Sequence, residues 1–352
     1  MNDGVGNSPA GAEPLGGVEP GLLGTGPEIL GEEAFDGLLA EGDRLTRALQ
    51  WGSIFVLPPW LRAWWRIFGE GARGKLFTVR SGGRLVEFVP LLLRGQEAGL
   101  MGSEDVCDYL DCATAPTRRL SCVPALLSHL LKEGVRTLDL GLVRADSVVL
   151  RTFVPALRQL GYEPDCTPED VCVERELPAT WNEFLYSLSG KERHEIRRKW
   201  RRLKESGPVR FRVFEKPGEI DGPVETFLRL FSASRPEKAD FLTERRAAFF
   251  REAAREMAAQ GMLRLTLLEL EGEPAASVMC FDDGSTVYLY NNGYDPRFRH
   301  LSVGLVSKLF TVRDSIERGR SKYDFLKGGE PYKFRLGGRS VPLYRCRVSL
   351  AS

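Results

Sequence analysis

The chain has 352 residues, 43% of them hydrophobic, and its 49 basic and 48 acidic side chains leave a net charge of +1. That length suggests two domains and allows one large one, while the balanced charge gives no global pull towards nucleic acid or an anionic membrane. No run approaches the roughly 18 consecutive apolar residues of a membrane span, and the opening MNDGVGNSPAGAEPLGGVEPG lacks the basic start and apolar centre of a secretory signal.

Residues 1–30 are rich in Gly and Pro and poor in aromatics, a composition that cannot offset its ordering entropy, so a disordered tail is expected there. From about Phe35 onward order is expected. PPWLRAWWRIF at 58–68 reads as a Pro-initiated helix with an aromatic face. Strands are predicted at 75–79 and 85–93 around the turn Ser81-Gly82-Gly83, and again at 137–142 and 171–176. Helices are predicted at 123–132 and 147–160, each followed by glycine. Strands alternating with helices give an α/β first half, 31–178.

A basic helical linker is expected over 179–207. Its segment KERHEIRRKWRRLK carries eight Lys/Arg against two Glu, with Ile196, Trp200 and Leu203 forming a narrow apolar stripe. The simplest reading packs that stripe and solvates the charges, His194 included. The alternatives are a surface for an anionic substrate such as tRNA or a sugar nucleotide and, disfavoured by the narrowness of the stripe, binding to a membrane surface.

The stretch 208–352 makes a second α/β pass. It reads as a strand at 209–214, helices at 223–234 and 243–260, and three successive strands at 263–271, 275–281 and 286–291. A helix at 302–318 and strands at 323–326 and 340–349 complete it. Three hairpin-linked strands followed by a crossover helix suit a mixed sheet better than a doubly wound one.

Two stretches carry candidate chemistry. In YLYNNGYDPRFRHLSVG a strand runs into a kink at Asn291-Asn292-Gly293, then a basic loop, then a helix start. Helix starts present unpaired N–H groups that suit phosphate. Arg297, Arg299 and His300 stand beside this one, Ser302 can cap it, and Gly304 permits close approach. The plain alternative is a capped helix after a solvated loop. In YDFLKGGEPYKFRLG a short strand ends in two glycines and presents Glu330, Tyr332 and Lys333. Asp324 or Glu330 is a candidate base, Tyr332 a candidate acid and Lys333 an anion holder. The plain alternative is a salt-linked loop that locks the last strand.

Seven cysteines (Cys107, Cys112, Cys122, Cys166, Cys172, Cys280 and Cys346) form no CxxC pair, and reduced thiols in a cytoplasmic compartment are expected. With only His129, His194 and His300, widely separated, no metal is expected.

YNNGYDPRFRHLSVGLVSKLF, ERGRSKYDFLKGGEPYKFRLG, LSGKERHEIRRKWRRLKE and RPEKADFL, with WLRAWWRIFG and DYLD upstream, resemble the GNAT-like acetyltransferases of the CelD/BcsL type, relatives of FemAB aminoacyl transferases. The resemblance spans about residues 45–345. It implies mixed α/β sheets in two tandem GNAT-like copies, the first degenerate. It also implies direct acyl transfer from acetyl-CoA or another acyl-CoA to an amine or hydroxyl, with a small-molecule or saccharide acceptor of the kind used in polysaccharide biosynthesis. The family's Arg/Gln-x-x-Gly-x-Gly/Ala motif reads here Arg299-His300-Leu301-Ser302-Val303-Gly304, with serine in place of the first glycine. Two other readings remain: an aminoacyl-tRNA donor, and a non-catalytic scaffold that keeps the fold.

Overall fold

The computed structural model describes residues 29–42, 44 and 48–350. The tail expected at 1–30 lies outside these residues except for Ile29 and Leu30, which open a strand. The first half runs β1 (Ile29–Glu33), α1 (Phe35–Ala40), α2 (Pro58–Phe68), β2 (Arg73–Ser81), β3 (Arg84–Arg94), β4 (Glu97–Leu100), α3 (Val123–Lys132), β5 (Thr137–Arg144), α4 (Val154–Gln159) and β6 (Asp165–Glu176). Two helices follow, α5 (Trp181–Ser187) and α6 (Gly190–Glu205). The second half comprises β7 (Val209–Phe214), α7 (Asp221–Ser234), α8 (Pro236–Phe241), α9 (Glu244–Ala259), β8 (Leu263–Leu270), β9 (Glu273–Asp282), β10 (Thr286–Tyr294), α10 (Val303–Glu317), β11 (Lys322–Lys327), α11 (Pro331–Arg335) and β12 (Arg339–Ser349).

The strands form one mixed sheet in the order β1-β2-β3-β4-β5-β12-β6-β11-β10-β9-β8-β7. Two short strands of the first half, Gln50–Trp51 and Ala113–Thr114, lie off this path, paired with each other and, through the latter, with β3; every other strand of the first half has a counterpart six places later. Only two pairs are parallel, β4 with β5 and β10 with β11, and each is joined through three residue pairs. The last strands are exchanged: β12 pairs with β5 of the first half, and β6 pairs with β11 of the second. The stretches expected as separate domains at 31–178 and 208–352 thus share a single sheet.

Apolar packing follows the same pattern. The aromatic face of α2 meets α9, where Trp60 makes edge contacts with Phe249, Phe281 and Tyr290. Arg62 and Arg66 of α2 both pair with Glu256 of α9 at the margin. Aromatic pairs of this kind contribute beyond the area they bury. Helices α5 and α6 lie over the second half: Phe184, Leu185, Leu188 and Ile196 pack with Leu309, Val312, Tyr323 and Phe325. Leu203 is buried and Trp200 stacks on Phe211, so the stripe of the basic helix is a packing surface.

One cysteine expectation is corrected. Cys166 of β6 and Cys346 of β12 are directly opposed in the antiparallel ladder and form a disulfide. Register places the pair side by side, which a sequence separation of 180 residues hides. Cys107, Cys112, Cys122, Cys172 and Cys280 are free and buried. Among the described residues, no helix is long and apolar enough to cross a membrane.

Candidate acyl-transfer cleft

Strands β10 and β11 stay paired only as far as Tyr288 and Asp324. Beyond that point each is deflected by a local irregularity. In β10 the register against β9 slips between Leu289 and Asn291, a bulge of the kind that bends a strand and re-aims its side chains. In β11, Leu326 takes a left-handed φ of 62°, rare for a leucine. The turn is fastened from the first half: Tyr109 donates to Asp324 at 2.7 Å, and the Lys327 N–H donates to Asp108 at 3.3 Å. The Asn291-Asn292-Gly293 kink therefore lies inside a longer, bulged strand rather than after it.

The diverging strands open a cleft of about 580 Å³. Six of the sequence candidates line it: Asn292, Arg299, Ser302, Gly304, Glu330 and Tyr332. The two stretches singled out in the sequence therefore meet at one place. Ser302 precedes α10 with a left-handed φ of 59° and makes no side-chain cap bond, which corrects its expected capping role. As the first two residues of α10, Val303 and Gly304 have N–H groups without intrahelical partners. A Cβ on Gly304 would come within 3.1 Å of the Tyr294 ring, so this glycine makes room for an aromatic neighbour as well as for a ligand.

Six other candidates sit elsewhere. Asp324 is buried on the opposite face of β11, held by Tyr109, Arg144 at 3.2 Å and the Leu326 N–H at 2.7 Å. Lys333 is also buried. Its Nζ donates to the carbonyls of Leu326, Lys327 and Gly328 at 2.7–3.0 Å and pairs with Glu330 at 2.8 Å. In place of holding an anion, Lys333 ties the loop together. Asn291 faces Met279 within the ladder. Gly293 abuts α7, where a Cβ would stand 2.2 Å from the Phe231 nitrogen. Arg297 is committed to Asp295 and Glu273, and His300 is exposed with Nδ1 3.2 Å from the Arg297 carbonyl.

Sequence reasoning missed several cleft residues. Ser234 and Arg235 come from the α7–α8 junction, Lys238 from α8, Lys308 from α10 and Arg335 from α11. The signal for Lys308 was a single lysine inside the apolar run VGLVSKLFTV. Arg235 and Lys238 stood in RPEKADFL without an assigned role.

The electrostatics are lopsided. Five basic side chains face one carboxylate, Glu330. Lys308 lies 3.9 Å from the Tyr332 ring centroid, and burial followed by repulsion from Lys238 lowers its pKa to about 7. Lys238 donates to the Asn292 carbonyl and lies 4.5 Å from the Phe231 ring centroid. Burial, then Arg235, lowers its pKa to about 8. For Glu330 burial acts upward, but the Lys333 ammonium outweighs it and holds the carboxyl below its usual range. Burial and the Glu330 charge push the Tyr332 phenol up, so it stays protonated at neutral pH. Among the described residues, no group of three or more His, Cys, Asp or Glu could hold a metal ion.

Residues 190–334 match the family model described as an acetyltransferase (GNAT) domain. In fold the chain is similar to the crystal structure of FemX, with a TM-score of 0.62, 12% identity and coverage of 90% of this chain and 96% of that one. A conserved protein of unknown function from Bacteroides thetaiotaomicron gives a TM-score of 0.60 at 12% identity, covering 91% and 99%. The C-terminal domain of a putative lysylphosphatidylglycerol synthetase from Agrobacterium fabrum gives 0.58 at 10% identity, covering 91% and 93%. No curated protein matches the chain. The chain thus has a mixed α/β, GNAT-like acyltransferase fold, with the matched domain holding the cleft.

Proposed function

We propose that the chain is an acyltransferase that moves an acyl group from acyl-CoA, acetyl-CoA in the simplest case, to an amine or hydroxyl. The observation that carries this reading is the cleft between β10 and β11, where a helix start and the Glu330–Tyr332 loop face each other. The donor's diphosphate would rest on the Val303 and Gly304 N–H groups with Arg299 beside it. Its amide-bearing arm would run along the freed edge of β10, whose N–H groups can polarise the thioester carbonyl. The acceptor nitrogen or oxygen attacks that carbonyl carbon, the C–S bond breaks, and the acceptor's proton passes to Glu330. Tyr332, kept protonated, is placed to return a proton to the thiolate. Asp324 and Lys333 act on this chemistry only by positioning the loop.

A saccharide or other small-molecule acceptor and a cytoplasmic setting belong to this proposal. In such a compartment the Cys166–Cys346 pair would face a reducing poise. A second reading, an aminoacyl-tRNA donor, draws support from the likeness in fold to FemX. It is also supported by Arg197 and Arg202, exposed on α6 with no carboxylate partner among the described residues. That reading predicts tRNA binding that weakens steeply with salt.

Calorimetric titration of acetyl-CoA separates the readings, with Arg299→Ala/Ser302→Asp as the control. Micromolar binding that the double variant loses is the expected result. Absence of binding by acetyl-CoA and longer acyl-CoAs would overturn the acyl-CoA reading. Unchanged biological function in Glu330→Gln and Tyr332→Phe would point instead to a scaffold.

A further inference from the structure

The donor reading leaves much of the cleft's positive charge unexplained. Arg299 and the start of α10 account for a diphosphate. Arg235, Lys238, Lys308 and Arg335 remain; Lys238 and Lys308 are half-buried, and the exposed Arg235 is near enough to repel both. None of Arg235, Lys238 and Lys308 has a carboxylate partner among the described residues. Elsewhere most buried or half-buried basic groups do have one: Arg62 has Glu256, Arg144 has Glu174, and Arg264 has Asp314. Glu330, the one carboxylate among the described residues that line the cleft, is engaged by Lys333.

Crowding like charges in a half-buried cleft costs free energy unless an anion joins them. The mutual repulsion is visible in the lysines, since Lys238, Lys333 and Arg235 all depress Lys308. Moreover, Lys308 and Lys238 are held in place by ring contacts with Tyr332 and Phe231, so they are preorganised.

We infer that Arg235, Lys238 and Lys308 form a second anion subsite, distinct from the donor's diphosphate site, and that the acceptor is an acidic molecule whose carboxylate or phosphate binds there. This rests on the proposed reading in one respect, that the start of α10 is taken by the donor. The subsite places the acceptor's charged group beside Glu330 and Tyr332, so its nucleophile would lie within reach of both. A neutral sugar or a simple amine would leave the three cations uncompensated and is the disfavoured acceptor class.

Calorimetry on the full chain at low salt tests this, with inorganic phosphate and succinate as separate probes titrated into protein saturated with coenzyme A. At least one probe is expected to bind, which also tells a phosphate-bearing acceptor from a carboxylate-bearing one. Lys238→Met and Lys308→Met should each weaken the probe about tenfold while moving coenzyme A affinity by less than about twofold. Failure of both probes to bind, or an equal loss of coenzyme A affinity in the two variants, would overturn the inference. If coenzyme A itself does not bind, the donor reading fails separately, and the probes are titrated into the free protein. Weakening by Lys238→Met but not by Arg299→Ala would still support the subsite, and the reverse would overturn it.

Discussion

At the start of α3 the buried Glu87 carboxylate accepts from the Ser121 N–H at 2.8 Å, the Ser121 hydroxyl at 2.6 Å and the Cys122 N–H at 3.1 Å. At the start of α10, the topological counterpart, no side chain does this, and the N–H groups of Val303 and Gly304 face a cleft. The strands around them diverge alike. Yet the space beside β4 and β5 is about 250 Å³ and mixes Glu97, Glu104 and Asp139 with Arg94 and Arg345, the last paired with Glu104 and Asp139, whereas that beside β10 and β11 is about 580 Å³ and sets five basic side chains against Glu330 alone. One half supplies its own anion and the other leaves the place open. The same topology thus carries a charge-compensated space in one half and a cationic one in the other, and the chemistry follows the side chains rather than the fold.

The sharpest way to break the comparison is Glu87→Gln. Replacing the buried carboxylate sets an amide against donors it satisfies poorly, and stability should fall by about 2 kcal/mol in chemical denaturation. Acetyl-CoA binding should be unchanged, and a change would mean that the first half takes part in donor recognition.

A smaller effect sharpens the electrostatic side. Lys308 titrates near 7 in the folded protein, against roughly 10.4 for an unfolded lysine. Between those values the unfolded chain binds more protons, so stability rises with pH, by up to about 1.4 kcal/mol per pH unit from this group. Lys238 adds a similar slope above pH 8. Lys308→Met should lose its share, seen as a flatter stability profile between pH 7 and 9.5 and a gain in stability near pH 7. An unaltered slope would contradict the crowding of cations in the cleft.

The smallest expected effect concerns Ser302. With φ at 59° and no cap bond, Ser302→Gly should relieve left-handed strain and stabilise by about 1 kcal/mol, read as a rise in Tm. Destabilisation would show that the serine hydroxyl has a partner worth more than the strain.

Much of the secondary structure was legible because the chain punctuates itself. The helix at 58–68 begins with two prolines and ends at Gly69, and the strand at 209–214 alternates cleanly. Five of these elements were not legible. β1 begins in the last two residues of the stretch expected to be a disordered tail, and β4 is the small, weakly patterned EAGL. α1, α8 and α11 are helices of 6, 6 and 5 residues, too short to show a periodic face. The exchange of β6 and β12 is a long-range event with no local mark. At the cleft, the two candidate stretches of the sequence come together, but not every side chain's direction was legible. Asp324 falls between Tyr323 and Phe325, whose rings pack under α10, so the period of two sends the aspartate to the other face. Lys333 looked free in sequence because its partners are backbone carbonyls, which no residue pattern reveals.

Amide hydrogen exchange with and without saturating acetyl-CoA tests the central claim most directly. The account predicts new protection at residues 289–294 and 303–305, and none at 97–102 or 121–126. Protection in the first half, or none anywhere, would contradict it.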